Sequence, residues 1–148
     1  MLDYRIQETQ DYLQFEDLFK SSDLEFHLDE SGLQPEGSLG GFACLGPEGE
    51  ILAGAVITQR DGYFILNDIA VREDLRGQGL GQVLLEKSLD KIRDLGGQSV
   101  YITAKAPGFF KKYDFVFLSP EETPDIFSCL DCNRYEEDCF PEFMMRDL

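Results

Sequence analysis

Residues 66–85 pass from an apolar run ending Ile69-Ala70-Val71, through a glycine-rich stretch that includes Arg76-Gly77-Gln78-Gly79-Leu80-Gly81, into a segment with helical periodicity. This order of strand, loop and helix constrains the fold more than any other feature of the chain. Gly77, Gly79 and Gly81 carry no Cβ, so the backbone there can take positive φ and turn several N–H groups onto one anion. The helix behind them adds unpaired N–H groups and the positive end of its dipole, and Arg76 adds a fixed cation. The segment is suited to holding a pyrophosphate.

Spacing narrows the choice of ligand. A P-loop would continue from its last glycine with Lys and then Ser or Thr, whereas Gly81 is followed by Gln82-Val83. A dinucleotide fingerprint, GxGxxG, would place its third glycine at Gln82 or Leu84. What the chain carries is Arg-x-x-Gly-x-Gly at Arg76, Gly79 and Gly81. A second apolar strand follows at 99–104, and then an aromatic segment, Pro107-Gly108-Phe109-Phe110-Lys111-Lys112-Tyr113-Asp114-Phe115.

These residues resemble the GNAT superfamily of N-acetyltransferases, closely over 50–118 and poorly at both ends. The resemblance implies an α/β (α+β) acyl-CoA N-acyltransferase fold: a mixed, mostly antiparallel twisted sheet flanked by helices, with one splayed parallel strand pair. It implies acetyl-coenzyme A as co-substrate. Its pyrophosphate would rest on Arg76, Gly77, Gln78, Gly79, Leu80 and Gly81. Its pantetheine arm and thioester would meet the backbone of Ile69, Ala70 and Val71, and Phe110 would lie beside the thioester.

The chain departs from the family pattern where proton transfer is needed. A primary amine with a pKa near ~10.4 is mostly protonated at neutral pH and attacks a thioester only after losing a proton. The tyrosine that in many relatives returns a proton to the thiolate falls at Phe110, whose ring has none to give. The carboxylate that many relatives place on the central strand falls near Asn67, with Asp68 beside it. Strand alternation sends these two neighbours to opposite faces, so Asp68 replaces the missing base only if a bulge turns it; otherwise its role is structural. Tyr113, three residues beyond Phe110, is the other candidate acid, against a role as a core aromatic. His27 is an alternative base or a packing histidine.

The periodicity predicts a helix over 9–21 capped by Thr9, a shorter helix over 23–30, and a loop over 32–41 suited to a substrate flap. Strands are expected over 41–45, 50–59 and 63–71, joined by hairpin turns at 46–49 and 60–62. The helix after the glycine loop carries an apolar stripe, Leu80, Leu84, Leu85, Leu89 and Ile92 among it, and ends at Gly96-Gly97. Strand, helix and strand over 63–104 form one crossover, which makes those two strands parallel.

At 148 residues with 43% apolar side chains the chain fits one domain, 1–148, with an atypical segment over 119–148. The net charge of -16, from 29 acidic and 13 basic residues, excludes nucleic acid and anionic membrane as partners. Part of that charge would attract a cationic amine acceptor. Arg72, Arg76, Lys87 and Lys91 would offset it near the cofactor. A cytoplasmic location with reduced cysteines is expected, and a monomer or homodimer. Cys129, Cys132 and Cys139 are spaced as CxxCxxxxxxC, with Cys44 or His27 to complete a zinc set; ordinary free or buried cysteines, with no metal, are the leading expectation.

The functions that survive are an acetyltransferase acting on an amine, a non-catalytic acyl-coenzyme A binding or sensing module, and a protein regulated through a thiol or zinc tail.

Overall fold

The computed structural model describes residues 2–104, 106–126 and 142–148. Among these, seven strands form one sheet in the order β1-β2-β3-β4-β5-β7-β6. They are β1 (Arg5–Thr9), β2 (Ser38–Leu45), β3 (Ile51–Arg60), β4 (Tyr63–Val71), β5 (Ser99–Ala104), β6 (Val116–Leu118) and β7 (Glu142–Asp147). All neighbours are antiparallel except β4 and β5, which are parallel as the crossover requires.

Helix α2 (Leu80–Asp94) lays Leu80, Leu84, Leu85, Leu89 and Ile92 on one face of the sheet, against Phe42, Ala55, Ile57, Leu66 and Ile102. Its end is closed by the Gly97 N–H donating to the Ile92 carbonyl at 2.8 Å. The opposite face is covered by a 3-10 turn (Leu13–Phe15) and helix α1 (Glu16–Ser21), which bury Tyr12, Phe15, Leu18 and Phe19 against Ala43, Val56 and Ala70. The β3–β4 hairpin closes through Asp61 and Gly62 with φ of 50° and 82°, the two left-handed residues of a type I′ turn. No helix among the described residues is long and apolar enough to cross a membrane.

Three expectations need correction. Thr9 closes β1 instead of capping a helix: its Oγ1 accepts from the Asp11 N–H and from the Gln14 amide, each at 3.0 Å, and helical turns begin only at Leu13. The segment over 23–30 holds no helix. Asp23 has a φ of 59°, which turns the chain away after α1, and the Asp29 carboxylate accepts from the Ser31 N–H at 2.9 Å; this local bond competes with helical pairing. The expected loop over 32–41 is shorter than read, because Ser38, Gly40 and Gly41 already pair with β3. Cys129, Cys132 and Cys139 lie outside the described residues. Cys44 is buried in the core under α2.

Candidate active site

β4 and β5 share a single register pair, Ile65 opposite Tyr101. Beyond it the strands part, and a cleft of about 450 Å³ opens between them. Asp68, Ile69, Ala70, Val71, Arg76, Gly77, Leu80, Gly81 and Phe110 all line this cleft, together with Asn67 and Thr103. Among the described residues the second half of β4 has no ladder partner on the cleft side, so its backbone N–H and C=O groups are available to a ligand.

The glycine loop opens at one end of the cleft. Gly77 and Gly79 have φ of +85° and +86°, with nothing among the described residues within 4 Å of the place a Cβ would occupy. The space is open for a ligand, and the backbone needs glycine to reach this conformation. Gly79 sits at the cap position of α2, a 15-residue helix whose first N–H groups have no partner within the helix and point back toward the loop. Gly81 serves a different purpose from the one expected: its φ is not in the left-handed region, and a Cβ there would come within 3.2 Å of the Phe109 ring. It is small so that α2 can lie close to the aromatic segment.

The cations near the loop separate by partner. Arg72 is held by Asp74 through two bonds of 2.6 and 2.8 Å, and Lys91 lies 3.6 Å from Glu8. Arg76 makes no ion pair among the described residues; its Nε donates to the Val71 carbonyl at 3.3 Å, placing the guanidinium at the cleft mouth. Lys87 makes no ion pair among the described residues either, but it does not line the cleft, and Arg76 is the cation of the cleft lining.

Asp68 owes its position to a β-bulge. Val56 pairs with Asp68 and Ile57 with Leu66, so Asn67 is the extra residue of β4. The insertion shifts the alternation: Leu66 and Ile69 both belong to the core under α2, while Asp68 faces the α1 side with Ala70. There it is 4% exposed. The Asn67 amide donates to its Oδ2 at 2.7 Å, and the Tyr12 hydroxyl donates to the same oxygen at 3.1 Å. Thr58, fully buried, donates to the Asn67 Oδ1 at 3.4 Å, which fixes the direction of the amide. Burial pushes the Asp68 carboxyl up to about 6, against the opposing pull of the Asn67 and Tyr12 hydrogen bonds and of the Arg60 charge. Burial also drives the Tyr12 phenol far upward, with the Asp68 charge adding to it, so Tyr12 remains a donor at every working pH. A carboxylate with this value and position can accept a proton near neutrality.

Phe110 lies in the cleft wall, edge-on to Phe109 and Phe115. It belongs to helix α3 (Pro107–Lys111). Tyr113 lies past the end of α3, half-buried, with its ring 5.1 Å from Phe109, and does not line the cleft. Gln78 and Gly79 stand in the loop beside the lining residues without lining it themselves. His27 lies elsewhere, exposed, 3.3 Å from Glu25, on a second cleft of about 1050 Å³ shared with Asp29, Glu36, Arg60, Asp61 and Asp125. Two site residues were not found from sequence: Tyr12, which read only as an apolar position of a helix, and Thr103, whose buried Oγ1 has no hydrogen-bond partner among the described residues and which lines the cleft.

Solved structures share this architecture. The chain superposes on a GNAT-family acetyltransferase from Staphylococcus aureus with a TM-score of 0.72 at 15% identity, covering 99% of both chains. It superposes on a GNAT-family N-acetyltransferase from Escherichia coli in complex with coenzyme A, with a TM-score of 0.66 at 16% identity, covering 99% of this chain and 82% of that one. N-acetylglutamate synthase from Neisseria gonorrhoeae, complexed with coenzyme A and N-acetyl-glutamate, gives a TM-score of 0.76 at 16% identity over 100% of this chain and 36% of that one. The sequence model of the acetyltransferase (GNAT) family matches residues 4–115. With the splayed strand pair, the glycine loop and this match together, the chain belongs to the GNAT acetyltransferase family.

Proposed function

We propose that this single-domain protein is an N-acetyltransferase that moves acetyl from acetyl-coenzyme A to a primary amine by direct attack. The observation that carries this reading is one cavity lined by an unpaired strand edge, a glycine loop with a free cation, and a buried carboxylate with a raised pKa.

The pyrophosphate is assigned to Arg76 and the backbone of Gly77, Gln78, Gly79, Leu80 and Gly81, and the pantetheine arm to the free edge of Ile69, Ala70 and Val71. The loop fits such a group because a Cβ at Gly77 or Gly79 would stand in open space that an anion can use. Asp68 takes a proton from the acceptor's ammonium. The amine nitrogen then forms a bond to the thioester carbon, and an N–H of the free β4 edge stabilises the oxyanion. Collapse breaks the C–S bond and releases coenzyme A thiolate, and the second proton of the acetylated nitrogen passes to solvent, leaving the neutral amide. Phe110 gives the leaving group nothing, so its proton comes from solvent.

The acceptor is assigned to cationic amines, drawn by the acids around the wider cleft, Asp29, Glu36, Asp61 and Asp125 among them. An assay of thiol release with a panel of amines tests the reading. Thiol release that depends on an amine supports it; tight coenzyme A binding without turnover for any amine would replace it with a binding or sensing module, the reading favoured by the phenyl ring at Phe110.

A further inference from the structure

Tyr12 is one of the most deeply buried hydroxyl-bearing side chains of the molecule, 2% exposed, and the chemistry described above leaves it without a task. Its ring is fixed from two sides, stacked on Phe26 at 4.6 Å and tilted against Phe19 at 6.1 Å. Its hydroxyl, carried by the segment ahead of α1, reaches across 56 positions of sequence to Asp68.

The distribution of donors on Asp68 is lopsided. Tyr12 and Asn67 both donate to Oδ2, and no donor among the described residues meets Oδ1. A carboxylate oxygen that accepts two hydrogen bonds has little lone-pair capacity left to take a proton, whereas its unoccupied twin keeps its full basicity. The two anchors also stop rotation about the Cβ–Cγ bond, which would otherwise exchange the oxygens. Because Tyr12 belongs to the segment that covers the α1 side of the sheet, and Ser22 and Leu24 of the following turn line the cleft, the base is aimed by the same element that roofs it.

We propose that Tyr12 is a positioning residue for Asp68: with the Asn67 amide it pins Oδ2 and leaves Oδ1 as the oxygen that takes the acceptor's proton. This rests on the assignment of Asp68 as the base. Tyr12 and the Arg60 guanidinium at the end of β3 are the titratable and charged groups acting on this carboxyl. Tyr12 transfers no proton itself; the proton leaves the ammonium nitrogen for Oδ1 and passes to solvent after acetyl transfer.

The test is a carbon-13 titration of aspartate carboxyls in the ligand-free protein, with Asp68 identified as the resonance missing from Asp68→Asn. Tyr12→Phe removes one oxygen and keeps the stacked ring. It is expected to raise the Asp68 midpoint by on the order of one pH unit, because a hydrogen bond to the charged form is lost. Merely loosening the site would admit water and move the midpoint down. A midpoint that stays put or falls overturns the proposal.

Turnover supplies the second arm, measured with an amine that the panel shows to be accepted. Tyr12→Phe should lower kcat about five- to tenfold between pH 5.5 and 6 and less than about twofold at pH 8.5, with KM for acetyl-coenzyme A unchanged. An equal loss at all pH values overturns the positioning role. Asp68→Asn separates the two claims. If it keeps wild-type turnover, the assignment of the base falls; if it is inactive while Tyr12→Phe leaves the pH profile and the midpoint unmoved, only the role of Tyr12 falls.

Discussion

The Asn67 side-chain amide donates to the carboxylate of the next residue, Asp68, at 2.7 Å. On a regular strand two consecutive side chains point to opposite faces and do not meet in this way. The contact exists because Asn67 is the inserted residue of the bulge, and it joins the irregular backbone to the acid it redirects.

The buried charge at Asp68 should show in stability. Its folded pKa, about 6, lies above the ~3.9 of an unfolded aspartate. Stability from this group is therefore fully present below the unfolded value and is lost as pH rises through about 6. Asp68→Asn keeps an oxygen for Tyr12 and Asn67 to donate to. It is expected to be about 2 to 3 kcal/mol more stable than wild type at pH 7.5 and equal to it near pH 4. Urea unfolding at the two pH values checks this, and the same variant should lose at least ~100-fold in turnover.

Cofactor affinity should depend on the loop. Gly79→Asp places a side chain at a φ of +86° and a negative charge in the open cradle, and is expected to abolish coenzyme A binding. Arg76→Ala removes the cation at the cleft mouth, at a cost of about 1 to 3 kcal/mol in affinity. Isothermal titration with coenzyme A measures both, and unchanged affinity in Gly79→Asp would remove the assignment of the cradle.

The aromatic segment offers a paired test. Phe110→Tyr adds a hydroxyl in the cleft wall and is expected to raise kcat while coenzyme A affinity stays within about twofold. Tyr113→Phe should leave kcat nearly unchanged, since Tyr113 packs on Phe109 and does not line the cleft. A tenfold or larger loss in Tyr113→Phe would make Tyr113 the proton donor.

Acceptor charge is tested with salt. If the acids of the wider cleft draw in the acceptor, kcat/KM for a cationic amine should fall steeply between low and moderate ionic strength, where screening sets in over ~10 Å. A neutral amine should show no slope. Equal rates for cationic and anionic amines, insensitive to salt, would leave the acidic surface as a matter of solvation.

The sheet and the glycine loop were legible because their signals are local. The strands at 63–71 and 99–104 fall where alternation and turn residues placed them, and the Asp61-Gly62 turn and the glycine loop announce their own backbone conformations. The bulge left a fainter trace: the apolar positions facing α2 run Phe64, Leu66, then Ile69, Val71, a spacing of two that slips once to three. The Tyr12 contact left none, because a partner 56 residues away is set by how the α1 segment packs on the sheet. The helix expected over 23–30 failed for a related reason. Its apolar residues serve packing across the chain, with Phe26 stacked on Tyr12, instead of a stripe along one helix.

The lone pairing of Ile65 with Tyr101 makes the sheet continuous in outline yet divided in mechanics. Four strands lie on one side of that seam and three on the other among the described residues, with α2 as the covalent bridge. A cofactor seated in the cleft as proposed would touch both groups of strands at once, β4 on one side and β5 on the other. Its binding would supply the contact between the two groups that their own ladder makes at one position, so coenzyme A is expected to raise the melting temperature of the protein, as thermal unfolding would show.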